Sequence, residues 1–507
     1  MLSLVWFKRD LRTADHAPLS DALADGACIG LYAYEPSILN APEQDACHLD
    51  FINHCLEELR HALASLNCPL LVLKGEMPEL LNRLYEQVRI DRLLSYEETG
   101  LGVTYERDKR VARWARQRGI TWKEYPQHGV VRRLEHRDGW SRRWLECMRP
   151  DPLPEPKPGR PLPTSVMKAL PDTTCLTPES LSLEPSTKSE AQPGGRQAGL
   201  TLLNSFLHER GRDYQQAMSS PLEGADACSR LSPHFAYGTL SIREAYHASN
   251  NRLQELKGKR GKASLWRSSV QSFSRRLRWQ SHFIQKLEDE PDIEFRNINR
   301  TFDGLRNEDP DSWSTQGKES FDAWCRGQTG YPMIDACMRC LHTTGWINFR
   351  MRAMLMSFAS YHLWLHWRPT AQYLARQFVD FEPGIHYSQA QMQSGVTGIN
   401  TVRIYSPIKQ AQDQDPKAIF IRRWIPELRE LPDESIHQPE ACPLMIQAMS
   451  GCEIGRDYPQ PIVEHKTAYR TAQSKIFQRR SSPGARQEAQ RVYLKHGSRR
   501  RPHGTMY

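Results

Sequence analysis

No stretch of the 507-residue chain approaches the roughly 18 consecutive apolar residues of a membrane-spanning helix, so no bilayer span is expected. A secretory signal is lacking too, because Lys8, Arg9, Asp10 and Arg12 stand where its apolar core would lie; the cytoplasm is the expected compartment. Cysteine is sparse, 12 residues, and without a signal these read as reduced thiols rather than staples. The CxxC formed by Cys337 and Cys340 lies in YPMIDACMRCLHTTGW, whose apolar spacing is helical. No second CxxC or His pair stands at zinc-like spacing, so no metal site is expected. Also missing are a P-loop, a GxGxxG turn, a hydrolase triad and any repeat of fixed period, which removes the usual nucleotide-binding routes.

What is present is material for a large core. Hydrophobic residues make up 39% of the chain and charged residues 25%, which excludes low-complexity, collagen-like and disulfide-scaffold classes. The formal charge is +9, and residues 451–507 carry 12 Lys and Arg against 4 Asp and Glu, ending in Arg499, Arg500 and Arg501. A basic end of this kind suits phosphate contact, and equally a solvated, frayed terminus.

Short apolar runs at Leu2–Phe7, Cys28–Tyr34, Pro69–Gly75 and Asp91–Glu97 alternate with helical patterns around Ala17–Leu23, Leu49–Leu66 and Pro78–Val88. This alternation predicts a doubly wound parallel sheet over residues 1–135, with a ligand beyond the carboxyl ends of its strands. Between Pro150 and Pro193 lie 11 of the 34 prolines, so 136–196 reads as an extended linker without regular structure. Long helical patterns then run over 197–475, read as an all-α domain, followed by a basic tail, 476–507. Within the helical part, CSRLSPHFAYGTLS packs hydroxyls and Arg230 at a helix start, donors suited to a pyrophosphate. By composition alone a Ser-rich helix cap is the simpler reading.

LVWFKRDLRTADHAPL resembles the opening of the photolyase/cryptochrome family. The likeness continues in order through DACSRLSPHFAYGTLS, GYPMIDACMRCLHTTGWINFRMR, DFEP, RIYSPIKQ and FIRRWIPELREL, sparing only the Pro-rich stretch. The resemblance implies an α/β antenna domain and a helical domain that holds FAD. It places Tyr214, Cys228, Ser229, Arg230, Leu231 and Ser232 at the FAD phosphates, Cys228 standing where Thr is common. It makes Arg352 and Asp380 an ion pair beside the flavin ring, with Glu382 as the second acidic residue and Asn348 bordering the ring.

Departures from the family pattern carry their own expectations. Where repair members have an Asn facing flavin N5 and then WQW, this chain reads EPGIHYSQAQMQSG, so His386 or Tyr387 approaches N5. An imidazole there would donate a hydrogen bond or exchange a proton near neutral pH. The acidic residue that contacts a flipped lesion is replaced by Arg276, and Ala353 stands at the other lesion-contact position. Trp279 and Trp346 would line the cavity as a stacking wall, buried core Trp being the competing reading. The resemblance gives Trp367 and Trp313 as middle and outer members of the family's Trp chain, while the inner one aligns with Ala390; Tyr387, Tyr361, Trp364 or Trp346 would have to substitute. YEETGLGVTYERDKR resembles a folate-binding region, keeping Glu106, with Tyr105 in place of Asn; folate, deazaflavin, lumazine or no antenna stay open. Arg350 and Arg403, with the tail, are expected to contact DNA phosphates. The implied activity is light-driven repair by a monomer of a pyrimidine dimer flipped from single- or double-stranded DNA. The alternative is a cryptochrome-type photoreceptor with a signalling partner.

Overall fold

The computed structural model describes residues 1–497. Five strands, β1 (Leu2–Trp6), β2 (Ala27–Tyr34), β3 (Leu70–Lys74), β4 (Arg92–Tyr96) and β5 (Thr121–Tyr125), form one parallel sheet in the order β3-β2-β1-β4-β5. Side chains alternate along each strand. Thus Val5 and Phe7 meet α1 (Ala17–Asp25) and α2 (Ala46–Ser65) on one face, through Leu19, Phe51 and Leu59. Leu4 and Trp6 meet α3 (Met77–Val88) and α4 (Gly102–Arg118) on the other, through Leu80, Leu84 and Val111. The sequence reading missed β5, whose polar TWKEY run lacks the apolar signal because it lies at the sheet edge.

The Pro-rich region departs from the expected unbroken linker. It begins with α5 (Trp140–Met148), whose Trp140, Trp144 and Met148 bury into the core of the helical part, and a further helix spans Thr164–Ala169. Prolines cluster in 150–163, ahead of that second helix, and Pro163 serves as its N-cap, so neither helix carries an interior proline.

After α6 (Arg196–Ser205) the chain is helical. Its core is framed by α7 (Lys262–Asp289), α8 (Pro332–Thr344), α9 (Phe349–Ser357), α10 (Trp367–Gln377) and α11 (Pro383–Gln393). α7 and α11 cross closely at Gly384, where a Cβ would come within 2.6 Å of the Ile284 Cα, so only glycine permits the approach. The basic tail is not frayed over its described part. Residues from 476 on belong to α12 (His465–Arg480) and α13 (Ala485–His496), whose Ile476 and Val492 are fully buried. Arg499, Arg500 and Arg501 lie outside the described residues. Cys337 and Cys340 are both buried on α8, packed as core side chains.

Candidate cofactor and substrate cavity

A cavity of about 1240 Å³ opens in the helical part, walled by α7, α9, α11 and the 228–236 turn. Tyr214, Cys228, Ser229, Arg230, Ser232, Arg276, Trp346, Asn348, Arg352, Asp380, Glu382 and His386 all line it, as do Trp279, Arg350, Ala353 and Arg403. Residues from opposite ends of 190 positions are thereby brought together. Leu231 differs: its side chain is fully buried in the core beside Phe206 and Phe235, and only its backbone serves the turn.

The turn is held from outside by a residue that the sequence reading passed over. Arg210 donates to the carbonyls of Asp226 (2.6 Å), Cys228 and Ser229 (2.7 Å), which fixes the backbone of this loop; within it Ser229 Oγ accepts from the Leu231 amide at 3.4 Å, and the Ser232 hydroxyl hydrogen-bonds Asp380. Gln192, from the Pro-rich stretch, donates to the Arg230 carbonyl at 3.0 Å and accepts from Arg230 Nε at 3.2 Å. Arg230 itself adopts the left-handed conformation, φ 60°, a strained position for a side chain other than Gly or Asn. Its guanidinium lies 4.2 Å above the Trp346 ring. The following helix, Ser232–Ala236, has only five residues, so the expected helix dipole is small, and hydroxyls and loop backbone are the main donors here. Burial pushes the Cys228 thiol up to about 11 and the Tyr214 phenol up to about 12, so both stay neutral.

At the cavity floor Arg352 and Asp380 form the expected pair, a bidentate bridge at 2.8 and 2.9 Å. Burial alone would raise the Asp380 pKa; the charge and hydrogen bonds of Arg352 outweigh it and hold the carboxyl below its usual range. Arg352 also donates to the Ile347 carbonyl at 2.7 Å and lies 4.2 Å above the Phe378 ring. Glu382 is met at 3.4 Å by Arg9, which follows β1 and donates further to the carbonyls of Ala236 and Phe381. The KRD segment at the start of the chain therefore props the cavity floor.

Two site residues have orphaned atoms. Asn348 donates to the Met218 carbonyl at 3.0 Å, but its Oδ1 is buried without a partner among the described residues on the cavity wall, as is Nε of Arg350. A bound group with complementary polar atoms would satisfy both. Together with the pyrophosphate-type donors and the Arg352–Asp380 pair, this donor set fits FAD.

His386 departs from expectation. Its Nε2 donates to the Ala371 carbonyl at 2.7 Å, and burial lowers its pKa to about 4. The ring is neutral at neutral pH with its proton committed, so neither the expected donation toward the cavity nor proton exchange near pH 7 is available. Tyr387 and Trp367 lie behind the wall, both fully buried, in edge-to-face contact at 6.0 Å, with Trp367 Nε1 donating to Asn297 at 2.8 Å. Trp313 does not join them; its ring meets Phe321 at 5.4 Å. Arg276 contacts Met218 Sδ at 3.3 Å. Trp279 is 57% exposed on the cavity rim, which removes the buried-core reading for it, whereas Trp346 is buried under Arg230.

In the α/β part a pocket of about 100 Å³ sits beyond the carboxyl ends of β1, β2 and β4, among Arg9, Tyr32, Glu35, Glu98 and Arg107. Glu106 is not in it: it lies on the outer face of α4, paired at 2.8 Å with Lys109, and Tyr105 is exposed.

Comparison with known proteins accords with this geometry. Residues 3–157 match the family model for DNA photolyase, and residues 273–478 match that for the FAD binding domain of DNA photolyase. The deoxyribodipyrimidine photo-lyase of Vibrio cholerae is 29% identical over 497 residues, covering 92% of this chain and 97% of that one. The cryptochrome DASH of Gloeobacter violaceus is 28% identical over 487 residues, covering 91% and 93%. A bacterial class III photolyase from Agrobacterium tumefaciens superposes with a TM-score of 0.78 at 25% identity, over 95% of this chain and 98% of that one. Among the described residues no helix is long and apolar enough to cross a membrane. The chain belongs to the photolyase/cryptochrome family, and FAD is its cofactor.

Proposed function

We propose that this protein repairs pyrimidine dimers in DNA by light-driven electron transfer, acting as a cytoplasmic monomer. The observation that carries the reading is the single cavity in which the Arg352–Asp380 pair at the floor and the exposed Trp279 at the rim share one open volume. FAD, when bound, supplies a light-excitable one-electron donor. Arg352 and Asp380 hold a fixed dipole at the floor, and each would be costly to bury without the other. Ser229, Ser232 and Tyr214 bind and orient the pyrophosphate end. Trp279 offers a stacking face to a base taken out of the duplex, a step needed because a stacked lesion cannot reach the floor, while Trp346 backs the cavity beneath Arg230. Arg350 and Arg403 at the mouth position the strand through its phosphates.

The second reading, a blue-light receptor, is favoured by Arg276 and Ala353, which replace the lesion-contact residues of repair members. Illumination of the reduced protein with defined cyclobutane and (6-4) lesions, in single and double strands, separates the two. Restored pyrimidines in any arm support repair; intact lesions in all four, with light-dependent changes in the protein itself, support the receptor.

A further inference from the structure

At about 1240 Å³ the cavity exceeds the roughly 300–1,000 Å³ of ordinary ligand sites. Its far end is walled by the last turns of α7, by Gly139, Trp140 and Ser141 at the start of α5, and by His496 at the end of α13. Lys286 projects there. It is only 7% exposed, makes no hydrogen bond or ion pair among the described residues, and its Nζ lies 5.0 Å from the centroid of the Phe283 ring. An unpaired buried ammonium is costly, so each carboxylate nearby matters.

Those carboxylates are committed elsewhere. Asp289 faces Arg137 at 3.2 Å and accepts from Gln285 at 2.7 Å. Glu290 holds His496 at 2.6 Å and Lys495 at 3.2 Å, with Arg491 at 3.9 Å. The remaining groups around Lys286 are basic: Arg137 from the segment before α5, His282 one turn back on α7, and His496. Burial, with Arg137 adding to it, lowers Lys286 to about 7; burial holds His282 near 2 and His496 near 4. Across from Lys286, the nine-residue helix α5 opens with its N-terminus on the same cavity. A helix N-terminus and an unpaired amine converging on one space attract an anion.

We propose that the end of the cavity between Lys286 and the N-terminus of α5 is a binding subsite for a phosphate ester. Lys286 lies seven residues beyond Trp279 on α7, about 10.5 Å along the helix, so both serve one groove. If the DNA reading above holds, on which this source rests, the phosphate belongs to a strand whose base reaches Trp279; a small phosphorylated molecule is the other source of the same chemistry.

The test compares the FAD-loaded parent with Lys286→Met and the charge-retaining Lys286→Arg, each checked for flavin content and melting temperature. The probes are inorganic pyrophosphate, followed by calorimetry, and a pentathymidylate, followed by anisotropy against salt and pH. The expected result is that Lys286→Met loses pyrophosphate binding, binds the oligonucleotide about tenfold more weakly, and has a log–log salt slope smaller by about 0.7. Lys286→Arg should bind as the parent does, and parental oligonucleotide affinity should fall as pH rises through about 7, a fall absent from Lys286→Met. Loss of pyrophosphate binding alone, with oligonucleotide binding unchanged or absent in the parent, keeps the subsite and assigns it to a small molecule. A folded, flavin-bearing Lys286→Met that binds both probes like the parent overturns the subsite, as does a parent that binds neither.

Discussion

The Tyr387 phenol donates its hydrogen bond to the Glu43 carboxylate, joining α11 to the loop before α2 across the boundary between the two parts of the molecule. Both side chains are buried, and Gln372 donates to the same carboxylate at 3.2 Å. Burial, and then the charge of Glu43, raise the phenol well above its usual pKa, so Tyr387 is neutral with a base already in contact. A phenol that loses an electron becomes strongly acidic, and here its proton has a place to go.

Photoreduction of the bound flavin is therefore expected to depend on this corner. Trp367→Phe and Tyr387→Phe should both slow it strongly with FAD content unchanged. Glu43→Gln keeps an acceptor oxygen but is a far weaker base, and should slow the Tyr387-dependent part alone. Time-resolved absorption under blue light reads all three; a Trp367→Phe protein reduced at the parental rate would exclude this route.

Asp380→Asn should lose flavin and stability together. Removing one partner of a buried ion pair costs about 3–5 kcal/mol, because Arg352 keeps its charge without compensation. The flavin-to-protein absorbance ratio and the melting temperature should both fall. A variant with full flavin and parental stability would contradict the role given to the pair.

The loop-holding role of Arg210 predicts that Arg210→Met frees the carbonyls of Cys228 and Ser229 and weakens FAD retention, while the sheet of the α/β part is untouched. Equilibrium dialysis against FAD is the measurement, with parental affinity as the contrary result.

Glu294 accepts from the Gly102 amide at 2.7 Å, and burial raises its pKa from 4.5 to about 7, the amide opposing and Glu43 adding to the shift. A raised carboxyl pKa favours the folded state when protonated. That contribution is complete below about pH 4.5 and disappears as pH rises to about 7, a loss of up to ~3 kcal/mol at about 1.4 kcal/mol per unit. Melting temperatures at pH 5 and 8 should differ less in Glu294→Gln than in the parent.

Removal of the basic end must respect α12 and α13. A cut after Glu464 would delete both helices, with Ile476 and Val492, and uncover the core they pack on, whereas a cut after Gly497 keeps both helices and removes the last ten residues, Arg499, Arg500 and Arg501 among them. The shorter protein should melt like the parent and bind any DNA sequence more weakly, with a salt slope lower by up to about 0.9 per lost phosphate contact. Affinity independent of salt would refute the electrostatic account.

Local pattern in the sequence determined the alternating strands and helices, because period-2 and period-3.6 apolar spacing is set by which face each element buries. The residues of the cavity were legible only through the family resemblance, which assigned Arg352, Asp380 and the 228–232 turn, whereas composition alone reads that turn as a Ser-rich helix cap. The edge strand β5 escaped, having no buried run of its own, and α5 escaped because its Trp140 and Trp144 find their partners on distant α7 and on the helix Ile242–Glu255 only after the chain has folded. Only the tertiary structure decided that Arg9 props the floor from the other end of the chain, that Arg210 holds the turn, and that the Ala371 carbonyl accepts the hydrogen bond of His386 Nε2. Each is a hydrogen bond between groups without a shared motif. Protonation and pairing depend on burial and on which carbonyl or carboxylate comes near, quantities that exist only in three dimensions.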